Sequence, residues 1–333
     1  MKFERYSSIE NSYRIKTIQY MEINLPTQQY FVQEKVHGSN FAFYFDGTTI
    51  QCSKRSGFIG PEENFFNHQK VLSRYENNIL DLYNILKTAG KEFEVLRVCG
   101  EIYGGNYPHP EVANLNDISA VQKGVYYSND VDFLAFDIKL DDTYLGMVGF
   151  NLFCHLSKMP FLPTLKTGTL KECLEYPNEF QTTIPSMRGL PEIEGNICEG
   201  VVIRPITPQY FGPTRVILKN KNEKFSEKEN NAKTPRVEVD VPENVLSVVK
   251  EGLSLVTENR LRNVLSKEGS IGEREFGKLL GLVSKDAIED LQKDVPEFLE
   301  LDKKDRKTVT SMINKEVSNL IRPNFLNIID GTF

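Results

Sequence analysis

The chain has 333 residues, of which 40% are hydrophobic and 26% are charged, and its formal net charge is −6. Because a single hydrophobic core rarely extends much beyond about 250 residues, this length predicts two domains. No stretch approaches the roughly 20 apolar residues of a membrane-spanning helix. The negative charge argues against a protein that coats nucleic acid through bulk electrostatics.

Strands and one long helix are predicted in the first part of the chain. Alternating side chains predict strands over 30–36, 41–44 and 49–53, with an Asp46-Gly47 turn between the last two. Apolar residues recur at helical spacing over 63–89. Further strands are predicted over 95–103, 133–140, 200–206 and 216–219. The pattern indicates an α+β domain with mainly antiparallel sheets.

The last ninety or so residues show only helical spacing. A helix can begin at Pro242, Thr257 is a predicted N-cap for a helix over 258–267, and Gly269 can end that helix. More helices are predicted over 276–282, 287–291 and 309–321. We therefore predict an α+β domain over 1–233, a linker over 234–242 and a small all-α domain over 243–333.

Cysteine and histidine residues give no metal signature. The five cysteines and four histidines are scattered, without a Cys-x-x-Cys pair or a histidine at ligand spacing. We expect reduced thiols, and oxygen ligands for any metal. One local basic run stands out between Arg215 and Arg236, with seven basic and three acidic residues. It could be a phosphate-binding patch or a solvated loop.

Four lysines, Lys35, Lys54, Lys87 and Lys278, precede a glycine by three positions, so spacing alone does not select a nucleophile. Lys87 and Lys278 lie in predicted helices. Lys35 instead ends a predicted strand and enters a glycine-containing turn, where a lysine can reach a phosphate. A surface lysine at a strand end is the competing interpretation.

Other segments supply complementary chemistry for a nucleotide. Glu101 and Glu199 are carboxylates at predicted strand boundaries, and Phe136 offers an aromatic face beside Asp137. Lys219 and Lys221 alternate along one strand and should share a face. An aromatic side chain can stack on a base, carboxylates can bind ribose or Mg²⁺, and lysines can contact an α-phosphate.

Taken in order, these segments resemble the ATP-dependent RNA ligases of the T4 RNA ligase 2 class, within the covalent nucleotidyltransferase superfamily. Each segment is a weak signal alone, but the ordered set is specific and spans nearly the whole chain. The matching segments are Tyr6-Ser7-Ser8, 34–40, 54–57, Phe65-Phe66, Gly100-Glu101, 133–138, 199–205, 216–221 and 224–228.

The resemblance implies a role for each matching residue. Lys35 would take AMP from ATP with help from Glu199, Lys219 and Lys221, and Glu199 would hold Mg²⁺, with Mn²⁺ as an alternative. The implied nucleotide-binding residues are Glu34, Lys35, Asn40, Arg55, Glu101, Phe136, Glu199, Lys219 and Lys221. The implied RNA contacts are His37, Lys54, Arg55, Asp137, Arg204 and Arg260, although Arg260 fits an ordinary helix-surface arginine equally well.

Three features distinguish this chain within the class. Gln33 stands where an arginine is expected, and Arg204 stands where a lysine is expected, which keeps the charge but not its geometry. Residues 106–132 form a longer segment that resembles the insertion of kinetoplastid RNA-editing ligases and should border the active site.

The expected activity is sealing of 3′-OH/5′-phosphate nicks in duplex RNA, through lysyl-AMP and an RNA-adenylate. A capping guanylyltransferase or another polynucleotide ligase is the alternative, but both would carry a β-rich domain where this chain has helices. A non-catalytic RNA-binding module is a third interpretation. We expect a monomer, with no membrane partner, in the cytoplasm or encoded by a virus or phage and acting in the host cytoplasm, because residues 1–6 show no signal or transit peptide character.

Overall fold

The computed structural model describes residues 1–228 and 242–333. The chain divides into two compact units, Met1–Lys224 and Phe225–Phe333. The predicted linker 234–242, apart from Pro242, lies outside the described residues, as does the end of the basic run beyond residue 228. Within the described residues, no helix is long and apolar enough to cross a membrane.

The first unit contains two main sheets. Its strands are β1 Glu10–Asn11, β2 Tyr30–Glu34, β3 Ser39–Phe45, β4 Ile50–Lys54, β5 Gly57–Phe58, β6 Leu96–Asn106, β7 Ser128–Leu140, β8 Thr143–Tyr144, β9 Lys166–Gly168, β10 Gly200–Pro205, β11 Tyr210–Phe211, β12 Thr214–Arg215 and β13 Leu218–Lys221. One sheet has the order β1-β13-β10-β2-β9, and the other has the order β5-β4-β3-β6-β7-β8. Only the β1–β13 pairing among the described strands is parallel.

Helices cover the outer faces of these sheets and form the second unit. They are α1 Ile15–Asn24, α2 His68–Thr88, α3 Met147–Leu156, α4 Leu170–Leu174, α5 Ile184–Met187, α6 Glu243–Ser254, α7 Glu258–Glu268, α8 Phe276–Asp294, α9 Glu297–Glu300, α10 Lys303–Ile321 and α11 Phe325–Ile329. The predicted fold class, α+β with antiparallel sheets followed by helices, is confirmed.

Three apolar clusters of described residues hold the first unit together. The largest packs α2 against the second sheet through buried side chains such as Ile79, Phe43 and Phe133. A second cluster lies between the first sheet, α1 and α4, and includes Met21 and Val201. A third takes members from both sheets. Each sheet therefore has one face toward helices and contributes side chains to a shared inner layer, which is where its polar site residues lie.

Three element predictions need correction. Helix α2 begins at His68 and not at residue 63, because Phe66 and Asn67 have positive φ angles of 46° and 54° that a right-handed helix cannot contain. The helices predicted over 276–282 and 287–291 are one helix, α8, which buries one side along its whole length. Glu101 lies inside β6, beside a register shift at Gly100, and not at a strand boundary.

Candidate active site

Three adjacent strand ends bring the predicted catalytic residues together. The Lys35 amide donates to the carbonyl of Gly200 at 2.9 Å, and Gly200 in turn pairs with Lys221 across β13. Glu199 comes directly before β10, and β10 lies between β2 and β13. Glu199 therefore lies between the two lysines. The sequence-distant residues 35, 199 and 221 are neighbours because β2, β10 and β13 are neighbours.

A buried carboxylate is the centre of this site. Lys35 Nζ donates to Glu199 Oε2 at 2.7 Å, Lys221 Nζ lies 2.9 Å from Glu199 Oε1, and His37 Nδ1 lies 3.2 Å from Oε2. The Glu199 side chain is only 1% exposed. Burial alone would raise its pKa, but the charges of Lys221, Lys35 and His37 outweigh burial and hold the pKa well below its usual value. Glu199 is therefore ionised.

Gly200 makes this close approach of strands feasible. Its φ angle is +142°, and a β-carbon there would lie 2.1 Å from the carbonyl oxygen of Asn220 and 2.8 Å from Lys221 Cα. Any side chain would push β13 away from β10. The glycine thus sets the separation between Glu199 and Lys221.

Glu101 and Asn40 form a second polar row on the other sheet. They are directly paired across β3 and β6, so their side chains share a face. Burial raises the pKa of Glu101 to about 8; Lys35 and Arg55 lower it, and Glu199 raises it. Gly38 packs against this row, because a β-carbon on it would lie 2.3 Å from the carbonyl oxygen of Ile102. Glu101 is therefore largely protonated at neutral pH.

The remaining predicted cations lie on the strands around this centre. Lys219 is two residues before Lys221 on β13, as predicted. Arg55 donates to the carbonyl of Tyr6 at 3.0 Å. Lys54 pairs with Glu63 at 2.7 Å and lies over the ring of Phe65. The structure thus places Arg55 close enough to Glu101 to influence its charge, and Lys54 against the segment that leads into α2.

Glu34 has a different environment from the other predicted nucleotide ligands. Its carboxylate accepts hydrogen bonds from the Thr182 hydroxyl and from the Thr183 amide and hydroxyl, the last two at 2.9 and 2.8 Å. The side chain is buried, and it ties β2 to the loop before α5. Its predicted role as a nucleotide ligand therefore cannot involve the carboxylate in this conformation.

The predicted RNA contacts at Asp137 and Arg204 are corrected by the structure. Asp137 is 2% exposed, and its Oδ2 accepts from Tyr6, Arg204 and Arg215 at 2.8, 3.0 and 2.5 Å. Arg204 is 5% exposed. Side chains this deeply buried and mutually paired join the two sheets internally, and they do not present a surface to RNA.

The same network explains Gln33. Its amide oxygen accepts from Arg204 at 2.8 Å, and its amide nitrogen donates to the carbonyl of Leu162 at 2.7 Å. An arginine at position 33 would place a second buried cation beside Arg204, whereas glutamine supplies an acceptor. Phe136 lies directly above this network, with its carbonyl accepting from Arg204 and its ring edge-to-face with Tyr6 at 5.1 Å.

Arg260, the predicted RNA contact of the helical unit, is also buried. It is 1% exposed, donates to the carbonyl of Leu255 at 2.7 Å, and pairs with Asp286 and, at 2.9 Å, Asp290. Glu227 lies 3.9 Å from it. The prediction that Arg260 meets RNA is therefore wrong for this conformation, because its guanidinium holds helices α7 and α8 together.

Carboxylates that could hold a metal occur in two settings. Glu227, Asp286 and Asp290 converge within 4.8 Å, but the Arg260 guanidinium occupies that cluster. Glu199 is an ionised oxygen donor in the lysine-lined site, and its charge contributes to the raised pKa of Glu101. A divalent ion fits Glu199, because hard cations bind one or two carboxylates together with substrate phosphates and water.

Several residues of this site carried no clear sequence signal. Tyr127, whose hydroxyl accepts from the His37 amide at 2.9 Å, lies in the segment 106–132 that was predicted only to border the site. The segment therefore contacts the residues that follow Lys35. Arg215 and Thr182 reach the site from distant parts of the chain, and no spacing rule links them to Lys35. Tyr6 lies in a segment that matches the family, but the sequence assigned it no role.

Comparison with known proteins assigns the family. The RNA ligase family model matches residues 28–221, and the T4 RNA ligase 2 C-terminal model matches residues 239–319. Mitochondrial RNA-editing ligase 2 of Trypanosoma brucei brucei is 29% identical over 98% of this chain and 92% of its own length. Mitochondrial RNA-editing ligase 1 of the same organism is 28% identical over 83% and 76%.

Solved structures of a Naegleria gruberi RNA ligase are also similar. Its apo mutant has 17% identity and a TM-score of 0.46, and the match covers 67% of this chain but only 56% of that chain. Another mutant of that enzyme was solved with ATP and Mn, at a TM-score of 0.44. Because the RNA ligase model alone covers more than half of this sequence, this chain belongs to the RNA ligase family, the ATP-dependent enzymes that form phosphodiester bonds in RNA.

Proposed function

We propose that this ligase seals nicks with 3′-OH and 5′-phosphate ends in duplex RNA, using Lys35 as the nucleophile that carries AMP. The observation that carries the proposal is the pairing of Lys35 and Lys221 with the two oxygens of one buried, ionised carboxylate, Glu199. Glu199 holds the two lysines side by side, so that Lys35 can attack a phosphate that Lys221 contacts.

The first step is transfer of AMP from ATP to Lys35. A bond forms between Lys35 Nζ and the α-phosphorus, the bond to the β-phosphate oxygen breaks, and pyrophosphate leaves. The amine must be neutral to attack, although the reference pKa of lysine is about 10.4. Lys219 and Lys221 would balance the charge that develops on the α-phosphate.

A divalent metal, which we propose is Mg²⁺ with Mn²⁺ as a substitute, would be held by Glu199 and would neutralise phosphate charge. Phe136 would stack on adenine, because its ring borders the inner layer between the sheets. Glu101 would accept or donate a hydrogen bond at the ribose. Glu34 would act by fixing the loop at Thr182 and Thr183, next to the Lys35 turn.

The second and third steps act on RNA. AMP passes from Lys35 to the 5′-phosphate at the nick, and the 3′-OH then attacks that phosphate and displaces AMP. We propose that His37, Asn40, Lys54 and Arg55 serve these steps from the surface around the lysine turn. The helical unit would contact A-form duplex through phosphates and 2′-hydroxyl groups, which selects RNA without reading its sequence.

Labelling with a radioactive nucleotide tests the first step. Incubation with α-labelled ATP and Mg²⁺ should give a labelled protein band, and Lys35→Ala should abolish it while Lys54→Ala, a matched Lys-x-x-Gly lysine, should retain it. Labelling with GTP in place of ATP would indicate a capping guanylyltransferase. RNA binding without either label would indicate a non-catalytic module.

Substrate, assembly and location need separate measurements. Sealing of a nicked RNA duplex should exceed joining of the same strands without a complementary strand. We propose a monomer, which light scattering during gel filtration would test. We also propose a cytoplasmic location, whether the gene is cellular or viral, although the two trypanosome relatives are mitochondrial by name; microscopy of the tagged protein would distinguish these locations.

A further inference from the structure

The turn that carries the nucleophile, residues 35–38, is fixed at each end by one of the two sheets. The Lys35 amide bonds to Gly200 of the first sheet at 2.9 Å. Gly38 lies against Ile102 and Glu101 of the second sheet, too close for any β-carbon. Between these ends, Val36 and His37 belong to neither β2 nor β3, and a side chain from outside both strands contacts the middle of the turn.

The hydroxyl of Tyr127 supplies that contact. The His37 amide donates to it at 2.9 Å, and both residues are buried. On its other side, His37 reaches Glu199 through Nδ1 at 3.2 Å. This hydrogen bond thus restrains the peptide from which the His37 ring reaches Glu199, and this peptide lies between Lys35 and Gly38.

Tyr127 is itself held firmly. Asn196 accepts from the Tyr126 amide at 2.9 Å and donates to the Tyr126 carbonyl at 2.6 Å. The ring of Tyr127 packs edge-to-face on Tyr103 with centroids 5.5 Å apart, and Lys224 donates to the Gly124 carbonyl at 3.0 Å. The Tyr127 hydroxyl therefore has a defined position before substrate arrives.

We propose that Tyr127 is a positioning residue for nucleotidyl transfer, which fixes the lysine turn through the His37 amide so that Lys35 points at the α-phosphorus. This inference rests on the proposed function, because it assumes that Lys35 is the nucleophile. Tyr127 does not touch the reacting atoms. It acts by restricting the turn to one conformation, and reaction rates depend steeply on such alignment.

Replacing Tyr127 with phenylalanine removes the hydroxyl and keeps the ring. The His37 amide would then be a buried donor without its acceptor, and the turn would shift to find another. We expect the rate constant for labelling with α-labelled ATP to fall roughly tenfold at saturating ATP. The ATP concentration for half-maximal rate should change little, since the proposed base, ribose and phosphate contacts remain.

Tyr103→Phe is the matched control. Tyr103 is an equally buried tyrosine in the same ring pair, but its hydroxyl accepts from Arg188 at 3.2 Å and not from the turn. It should label at nearly the wild-type rate. A third variant, Asn196→Ala, should slow labelling as Tyr127→Phe does, because it releases the segment that holds Tyr127.

The result expected is slow labelling in Tyr127→Phe and normal labelling in Tyr103→Phe, with similar melting temperatures. Equal rates in Tyr127→Phe and wild type would overturn the inference. Equal slowing in both tyrosine variants would also overturn it, since packing and not the turn contact would then matter. Failure of the wild-type protein to label with ATP would instead overturn the proposed function.

Discussion

Glu101 and Glu199 are two carboxyl groups in one site with opposite protonation. Both are buried, yet Lys221, Lys35 and His37 hold the pKa of Glu199 well below its usual value. Glu101 has no such direct pairing, and burial raises its pKa to about 8. Two carboxyl groups with separated pKa values can serve different roles at one pH. Here one is an anion paired with lysines, and the other is a neutral hydrogen-bonding group.

This difference predicts a pH dependence of stability. The pKa of Glu101 is higher in the folded protein than its ordinary value of 4.5, so the folded state binds more protons between pH 4.5 and about 8. Stability contributed by this group therefore falls as pH rises through that window. We expect Glu101→Gln to remove this pH-dependent loss of stability. The melting temperature of the variant minus that of wild type should therefore increase as pH rises from 4.5 to above 8.

The control for Glu101→Gln is Glu92→Gln, because Glu92 is exposed at the start of the segment leading to β6. Its melting temperature should follow that of wild type at every pH. If the Glu101→Gln and wild-type curves also stay parallel across the window, Glu101 does not take up a proton on folding.

Arg260 gives a second prediction at this scale. Removing a guanidinium that is 1% exposed would leave Asp286, Asp290 and Glu227 repelling one another. We expect Arg260→Met to lower the free energy of unfolding of the helical unit by about 3–5 kcal/mol. Arg274→Met, at an exposed arginine, should change it by less than about 0.5 kcal/mol. Urea denaturation measures both.

An RNA contact at Arg260 would give the reverse result. Arg260→Met would then weaken RNA binding without lowering the free energy of unfolding.

Sequence could not decide between these outcomes, because an arginine on a helix has the same spacing whether it faces water or a neighbouring helix. The partners Asp286 and Asp290 are 26 and 30 residues away, on another helix. Buried polar pairs of this kind depend on packing that local patterns do not encode.

At the scale of elements, hydrophobic periodicity located most strands and helices but not their ends. Lys219 and Lys221 lie together on β13 as predicted, and Lys35 directly follows β2, because alternation and turn residues are local signals. The early start predicted for α2 failed because Phe66 and Asn67 adopt left-handed conformations, which asparagine tolerates but phenylalanine rarely adopts. The pairing order of β13, β10 and β2 was likewise not readable from one sequence, although it assembles the site.

Gly200 tests how far that strand pairing controls the site. A β-carbon at Gly200 would meet Asn220 at 2.1 Å in a backbone conformation of φ +142°. We expect Gly200→Ala to lower the free energy of unfolding by about 2–4 kcal/mol and to slow ATP labelling, because β13 and Lys221 must move.

Gly90→Ala is the control for conformation alone. Gly90 has a φ of +73° but no atom within 4 Å of an added β-carbon. Gly90→Ala should therefore lower the free energy of unfolding by only about 1–2 kcal/mol and leave labelling unchanged. Equal labelling by Gly200→Ala and wild type would show that the Glu199–Lys221 separation is not set by this glycine.

At the scale of the whole molecule, each unit has its own hydrophobic core. Among the described residues, Leu218 is the last residue of the first unit's clusters, and the core of the helical unit begins at Val245. Composition and the change from strand to helix patterns predicted this two-part organisation. The boundary between Lys224 and Phe225 differs from the predicted linker, because residues 226–228 contact α6 and α7. These are polar contacts that carry no periodic signal.

Separate cores predict that the steps of the reaction can be separated. A chain truncated after residue 228 keeps Lys35, Glu101, Phe136, Glu199 and the β13 lysines, so we expect it to label with α-labelled ATP at a rate within roughly fivefold of the full chain. It should seal a nicked RNA duplex at least roughly tenfold more slowly, since the proposed duplex contacts of the helical unit are gone. The same truncation with Lys35→Ala should not label. Folding of the truncated chain is checked by a cooperative melting transition. If the folded truncated chain fails to label, the helical unit takes part in nucleotidyl transfer itself. If it seals nicked duplex as fast as the full chain, the first unit holds the RNA alone.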